Sequence, residues 1–132
     1  MKREQLKVGS LKLNIRFEER LIYHDPCYLS RGVGIIEEPR IVLKSIPGVE
    51  LLEFSCNREN SRCCGAGGAA RKVYEETATA IGRLTIDEAV DKGADKLILS
   101  CPACYGKVNE AMEDHHNKIV ITDIMELVAG LL

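Results

Sequence analysis

Five cysteines stand at spacings that could do chemistry: Cys27, the adjacent pair Cys63 and Cys64, and Cys101 with Cys104 one helical turn on. A thiolate is a nucleophile and a soft metal ligand, so what each one faces decides its role. Neighbouring side chains in a strand point to opposite faces. Cys63 and Cys64 can therefore reach one target only from an irregular loop. Gly65, Gly67 and Gly68 supply such a loop, because glycine takes positive φ and lets backbone N–H groups approach a ligand. Zinc would use four thiolates in a closed tetrahedral site, and a simple cubane iron–sulfur cluster also takes four. Five thiols are one more than either needs. The surplus points to a bridging ligand, an unusual cluster or one free reactive thiol.

The elements that must position these thiols follow from the hydrophobic pattern. Residues 21–24 read as a first central strand, closed by Asp25-Pro26-Cys27, and residues 31–34 as a loop. Residues 49–54 form a second strand, followed by a polar loop to Cys64. Residues 96–100 form a third strand that runs into Cys101, and residues 118–122 a fourth. Leu11, Leu13, Ile15 and Phe17 alternate with polar residues, so residues 1–19 read as an N-terminal arm or edge strand.

Helices are expected over 36–45, with Ile36, Val42, Leu43 and Ile46 inward, and from Cys101, with Pro102 in its first turn, to about His115. A long helix from 69 to 91 carries Ala69, Val73, Thr77, Ala80, Ile81 and Leu84 at helical spacing, with a kink at Gly82 and Gly93 as its cap. A closing helix over 124–131 starts at an Asp123 cap. Alternating strands and helices predict a single α/β domain over 20–132, its four-stranded, mainly parallel sheet covered by helices on both faces. Ligands of such sheets bind outside the carboxyl ends of the strands. The thiols should therefore converge on that rim. Helix starts there favour negative charge, which suits an anionic thiolate-ligated cluster.

The bulk composition excludes several classes. With 132 residues, 45% hydrophobic and 29% charged, the chain is an ordinary globule, long enough for a real core. A net charge of −2 leaves no nucleic-acid footprint. No apolar run approaches the roughly 18–20 residues of a membrane span, and Met1-Lys2-Arg3-Glu4-Gln5 does not read as the start of a signal peptide. The expected compartment is the reducing cytoplasm, where six cysteines argue for metal or catalysis over disulfides. Attachment at the periphery of a membrane complex is compatible with that placement.

The cysteine pattern resembles the cysteine-rich CCG domain of heterodisulfide reductase subunits B and D and of related iron–sulfur oxidoreductases. His24-Asp25-Pro26-Cys27-Tyr28-Leu29-Ser30-Arg31 is similar to that family's entry motif, and Cys63-Cys64-Gly65-Ala66-Gly67-Gly68 to its centre. The likeness covers roughly residues 20–110. It implies that Cys27, Cys63, Cys64, Cys101 and Cys104 ligate an iron–sulfur cluster, a [4Fe–4S] centre of non-cubane form, that cleaves a disulfide by one-electron steps. It further implies ferredoxin-type or flavin subunits as redox partners and a small thiol or disulfide as substrate. Family members usually carry two such motifs; this chain has one, so it reads as a subunit or domain of an oxidoreductase. The alternative is a non-catalytic relay passing electrons from a flavin subunit to a quinone or other acceptor. A structural zinc domain is the third reading, and zinc could also occupy the vacated site in air-purified protein.

Other residues carry plainer readings. Gly65-Ala66-Gly67-Gly68-Ala69-Ala70 fits a dinucleotide fingerprint, but no strand precedes it directly. Cys56 reads as a buried structural thiol. His24 reads as a core histidine before a hydrogen-bond donor to a cluster sulfur. His115 and His116 read as the end of a helix, where a cation suits the dipole, before a metal site. Arg31, Arg58, Arg62, Arg71 and Lys107 read mostly as solvated charges, one or two of them facing the cluster edge.

Overall fold

The computed structural model describes residues 18–131. The alternating stretch from Leu11 to Phe17 lies outside them. Four strands form one sheet: β1 (Glu19–Tyr23), β2 (Val49–Glu53), β3 (Lys96–Leu99) and β4 (Val120–Asp123). Their order is β2-β1-β3-β4, and every pairing is parallel. The register sets Tyr23 opposite both Glu53 and Ile98, so β1, β2 and β3 end nearly level. Because the chain steps from β1 to one neighbour and returns past it to the other, the order reverses between β1 and β3. In doubly wound sheets a ligand crevice opens at that reversal, outside the carboxyl ends.

The two central strands are apolar on both faces, as parallel strands covered on both sides must be. Ile22, Leu97 and Leu99 pack to one side, with Ile86, Ala89, Val108 and Ala111. Leu21, Tyr23 and Ile98 pack to the other, with Leu43, Ile46, Ile124 and Leu127. Leu21, Ile22, Leu97, Ile98 and Leu99 are wholly buried, each worth about 1.5–3 kcal/mol relative to exposure.

Helix α1 (Glu37–Lys44) and α5 (Ile124–Gly130) cover one face; α3 (Glu75–Asp91) and α4 (Pro102–Met112) cover the other. The short α2 (Ala70–Val73) precedes α3. Asp123 caps α5 by accepting from the Met125 N–H at 2.8 Å, as expected, and Gly93 turns the chain after α3 at φ +76°. Along α1 and its flanks, Leu43 and Ile46 are buried as expected, whereas Ile36 and Val42 are only partly covered.

Several local expectations are corrected. The long helix breaks at Tyr74, not at Gly82, and α3 runs on through Gly82 without interruption. Its buried face is Ala78, Gly82, Thr85, Ile86 and Ala89, while Val73 and Leu84 face solvent. The reason is close helix packing: a Cβ at Gly82 would sit 2.7 Å from the Ala111 Cβ of α4, so the contact selects small residues over the larger apolar ones. Helix α4 ends at Met112, short of the histidines, because Asp114 takes a left-handed φ of +53°. Arg83 of α3 caps that end, donating to the Ala111 and Glu113 carbonyls at 3.1 and 3.3 Å. The first half of the loop expected at 31–34 belongs instead to a single π turn, Tyr28–Gly32.

Candidate functional site

Cys27 leaves the carboxyl end of β1 and opens the π turn. Proline before it and a buried Ser30, whose hydroxyl donates to the Pro26 carbonyl at 3.1 Å, fix that turn. Three side chains then tie it to the loop that carries Cys63. The His24 Nε2 meets the Arg62 carbonyl at 2.9 Å. An Asp25 oxygen accepts from the Arg58 backbone N–H at 2.8 Å. The Arg31 guanidinium donates to the Glu59 and Ser61 carbonyls, each at 2.9 Å. Contacts spanning 28 to 38 residues of sequence thus hold the two segments as one unit.

Asp25 is itself held from below. Arg40 on α1, wholly buried, forks onto Asp25 at 2.7 and 2.6 Å and onto Glu53 at the end of β2 at 2.7 and 2.9 Å. Burial works against the Asp25 carboxylate, yet the Arg40 guanidinium and the Arg58 N–H outweigh it and keep its carboxyl below the usual range. The arrangement locks α1, β1 and β2 beneath the site. No sequence signal announces it. An arginine in an amphipathic helix looks like a surface charge until its neighbours are known.

The Cys63-Cys64-Gly65 loop closes against α3. Gly65 sits at φ +93°, and a Cβ there would fall 2.5 Å from the Ala78 carbonyl oxygen, so only glycine fits. Its N–H donates to the Cys63 sulfur at 3.3 Å. From the third strand, Cys101 caps α4 in extended conformation, Pro102 follows in the first turn, and Cys104 lies buried one turn on. Ser100, just before Cys101, meets the Tyr23 hydroxyl at 2.7 Å, pinning the end of β3 to β1.

These placements bring four thiols into one run, Cys63 to Cys64 to Cys104 to Cys101. The Cys104 thiol donates to Cys64, and with the Ala66 N–H this overcomes burial and draws Cys64 down to about 6. Cys104, giving that hydrogen bond and buried beside a negative sulfur, is pushed up. Cys63 is exposed, Cys64 and Cys104 are buried, and Cys101 and Cys27 are intermediate. The run does not include Cys27, which stands at the end of the neighbouring strand.

His24 is buried, and its Nδ1 has no hydrogen-bond partner. Burial holds its imidazole below the ordinary range and therefore neutral. With Nε2–H donated to Arg62, Nδ1 keeps a lone pair beside the loop of Cys63. The expectation of a satisfied core histidine thus holds for one nitrogen only.

The basic residues are more engaged than expected. Lys107 is wholly buried, donating to Thr79 at 3.0 Å and to Glu110 at 3.4 Å. Arg71 pairs with the same Glu110, Arg58 with Glu37 at 2.7 Å, and Arg62 with Glu88 at 3.8 Å. Cys56 is exposed, so its reading as a buried structural thiol is wrong. Its strand-end neighbour Phe54 is buried and takes that packing role instead. The glycine run after Cys64 lies beyond the loop that follows β2 and is not the strand-to-helix turn of a dinucleotide site.

A family model for the cysteine-rich CCG domain matches residues 21–109. The chain is 36% identical over 127 residues to the D subunit of the dihydromethanophenazine:CoB–CoM heterodisulfide reductase of Methanosarcina barkeri, covering 96% of this chain and 31% of that protein. It is 32% identical over 128 residues to the probable iron–sulfur-binding oxidoreductase FadF of Bacillus subtilis, covering 96% and 18%. A probable membrane-anchored ferredoxin of Chromohalobacter salexigens is 33% identical over 128 residues, covering 96% and 19%. The chain spans about a third or less of the length of these relatives. Among the described residues, no helix is long and apolar enough to cross a membrane.

Proposed function

The chain belongs to the cysteine-rich CCG domain family, and from that premise we propose that it is the iron–sulfur redox module of a heterodisulfide reductase-like oxidoreductase. Cys27, Cys63, Cys64, Cys101 and Cys104 would hold one [4Fe–4S] cluster of non-cubane form. The observation that carries this reading is the run of four thiols from two distant segments, with the fifth at the next strand end, on the rim where such sheets bind ligands.

The donor set suits the group. The hydrogen bond from Cys104 and the Ala66 N–H draw the Cys64 thiol down toward the ionised form that a metal ligand takes. The Gly65 N–H on Cys63 is the kind of donor that stabilises a charged sulfur and tunes a cluster. When bound, the cluster supplies electrons one at a time.

The chain's own residues supply the rest. Exposed Cys63 leaves one edge of the site open to a small disulfide, and the Arg62 guanidinium, 41% exposed, draws an anionic one. Reducing a disulfide to two thiols takes two electrons and two protons. His24, neutral and bare at Nδ1, offers that atom as a hydrogen-bond acceptor.

Adding a small thiol to the oxidised, anaerobic protein should change its EPR spectrum. A cubane spectrum indifferent to thiols would instead favour a relay between a flavin subunit and another acceptor. The likeness to a protein described as a probable membrane-anchored ferredoxin favours that second reading.

A further inference from the structure

We propose that Asp87, His115 and His116 form a binding site for one divalent transition-metal ion of the zinc class. The proposal is independent of the thiol site and of the function assigned to it. Asp87 lies in the last part of α3, and the histidines lie in the connection from α4 to β4. That connection follows the end of α4 and leads into the amino end of β4, so the histidines lie a helix length from Cys101 at the start of α4.

One ring nitrogen of each histidine and one carboxylate oxygen of Asp87 all lie within 4.8 Å of one another. Donors 2.0–2.2 Å from a common ion would stand about 3.3 Å apart, so the site needs to close by no more than about 1.5 Å. Two imidazoles and a carboxylate suit zinc, cobalt or nickel, whereas magnesium and calcium demand oxygen ligands.

The site is built rather than accidental. Asp114, at φ +53°, turns the chain back so that consecutive histidines address α3, with their rings 4.5 Å apart. Arg83, one turn before Asp87 on the same helix, fixes the start of this connection through the Ala111 and Glu113 carbonyls. Asn117 donates to Asp87 Oδ1 at 2.8 Å and orients the carboxylate, the part that outer-shell groups play at metal centres.

His115 Nε2 meets the same Oδ1 at 2.6 Å, its side chain 9% exposed. On binding, Nε2 turns its lone pair to the metal in place of that hydrogen bond, and the ring carries its N–H on Nδ1. His116 is exposed, so three protein ligands leave a position open to water. A plain His115–Asp87 ion pair would leave His116 idle, and that difference is testable.

The full chain, purified anaerobically, is titrated with Co2+ and, calorimetrically, with Zn2+. Cobalt on imidazole and carboxylate gives weak visible bands, whereas cobalt on thiolates adds strong near-ultraviolet charge-transfer bands. The expected result is one equivalent of cobalt without charge transfer. His116→Ala, at an exposed position, should leave the metal-free melting temperature and the iron and sulfide content unchanged. It should weaken Zn2+ and Co2+ binding at least 10-fold, and Asn117→Ala should weaken both by about 10-fold. Equal affinity in wild type and His116→Ala, or cobalt bands carrying only thiolate charge transfer, would overturn the proposal. So would the absence of any cobalt band.

Discussion

At the scale of the residue, the thiols are not equivalent, and their burial ranks them. Cys104 is buried, sits one turn into a helix and donates a hydrogen bond to Cys64. Cys104→Ser should therefore yield protein with no iron, read by metal and sulfide analysis. Cys63 is exposed on the loop and is the ligand best placed to exchange. Cys63→Ser should keep most of its iron but show an altered EPR spectrum and slower disulfide reduction. Cys56, exposed and outside the run, should change stability by less than about 0.5 kcal/mol when replaced by serine.

His24 adds a pH dependence. Burial depresses its imidazole below the ordinary 6.5, so the native ring stays neutral where the unfolded chain takes up a proton. Stability is then fully present above about pH 6.5 and falls as the pH drops below it, by up to about 1.4 kcal/mol per unit. Urea midpoints of the metal-free protein at neutral and mildly acidic pH measure this loss. His24→Gln should flatten it.

At the scale of the element, the site depends on contacts that align segments without touching the thiols. Arg40 is the clearest case. Arg40→Met would leave Asp25 and partly buried Glu53 without their guanidinium partner, costing about 3–5 kcal/mol in denaturant unfolding. Gly65→Ala acts more locally. Its strained φ and the clash with the Ala78 carbonyl should displace the loop, at about 1–3 kcal/mol. Circular dichroism should stay native while iron incorporation is lost.

What the sequence could and could not tell also divides at this scale. The strands were legible because continuous apolar runs between glycine and proline have few other readings. The buried face of α3 was not, because alanine, glycine and threonine carry little hydrophobic signal; only the approach of α4 to Gly82 explains them. The end of α4 escaped for a similar reason. It is set by a left-handed aspartate and an arginine from another helix, neither visible in periodicity.

At the scale of the whole molecule, the parallel order β2-β1-β3-β4 makes distant cysteines neighbours. Convergence on the carboxyl rim could be argued from the sequence, because the cysteines follow successive strands. The staples through His24, Asp25 and Arg31 could not, since each joins a side chain to a backbone atom of a distant loop. The chain spans only a fraction of the length of its relatives. The module alone should still build its centre. The most direct test is iron and acid-labile sulfide, counted per chain in anaerobically purified protein. About four of each are expected for one [4Fe–4S] cluster. Zinc by itself would not decide the matter, because Asp87, His115 and His116 offer it a separate seat. Zinc with thiolate charge transfer on cobalt exchange, and neither iron nor sulfide, would contradict the account.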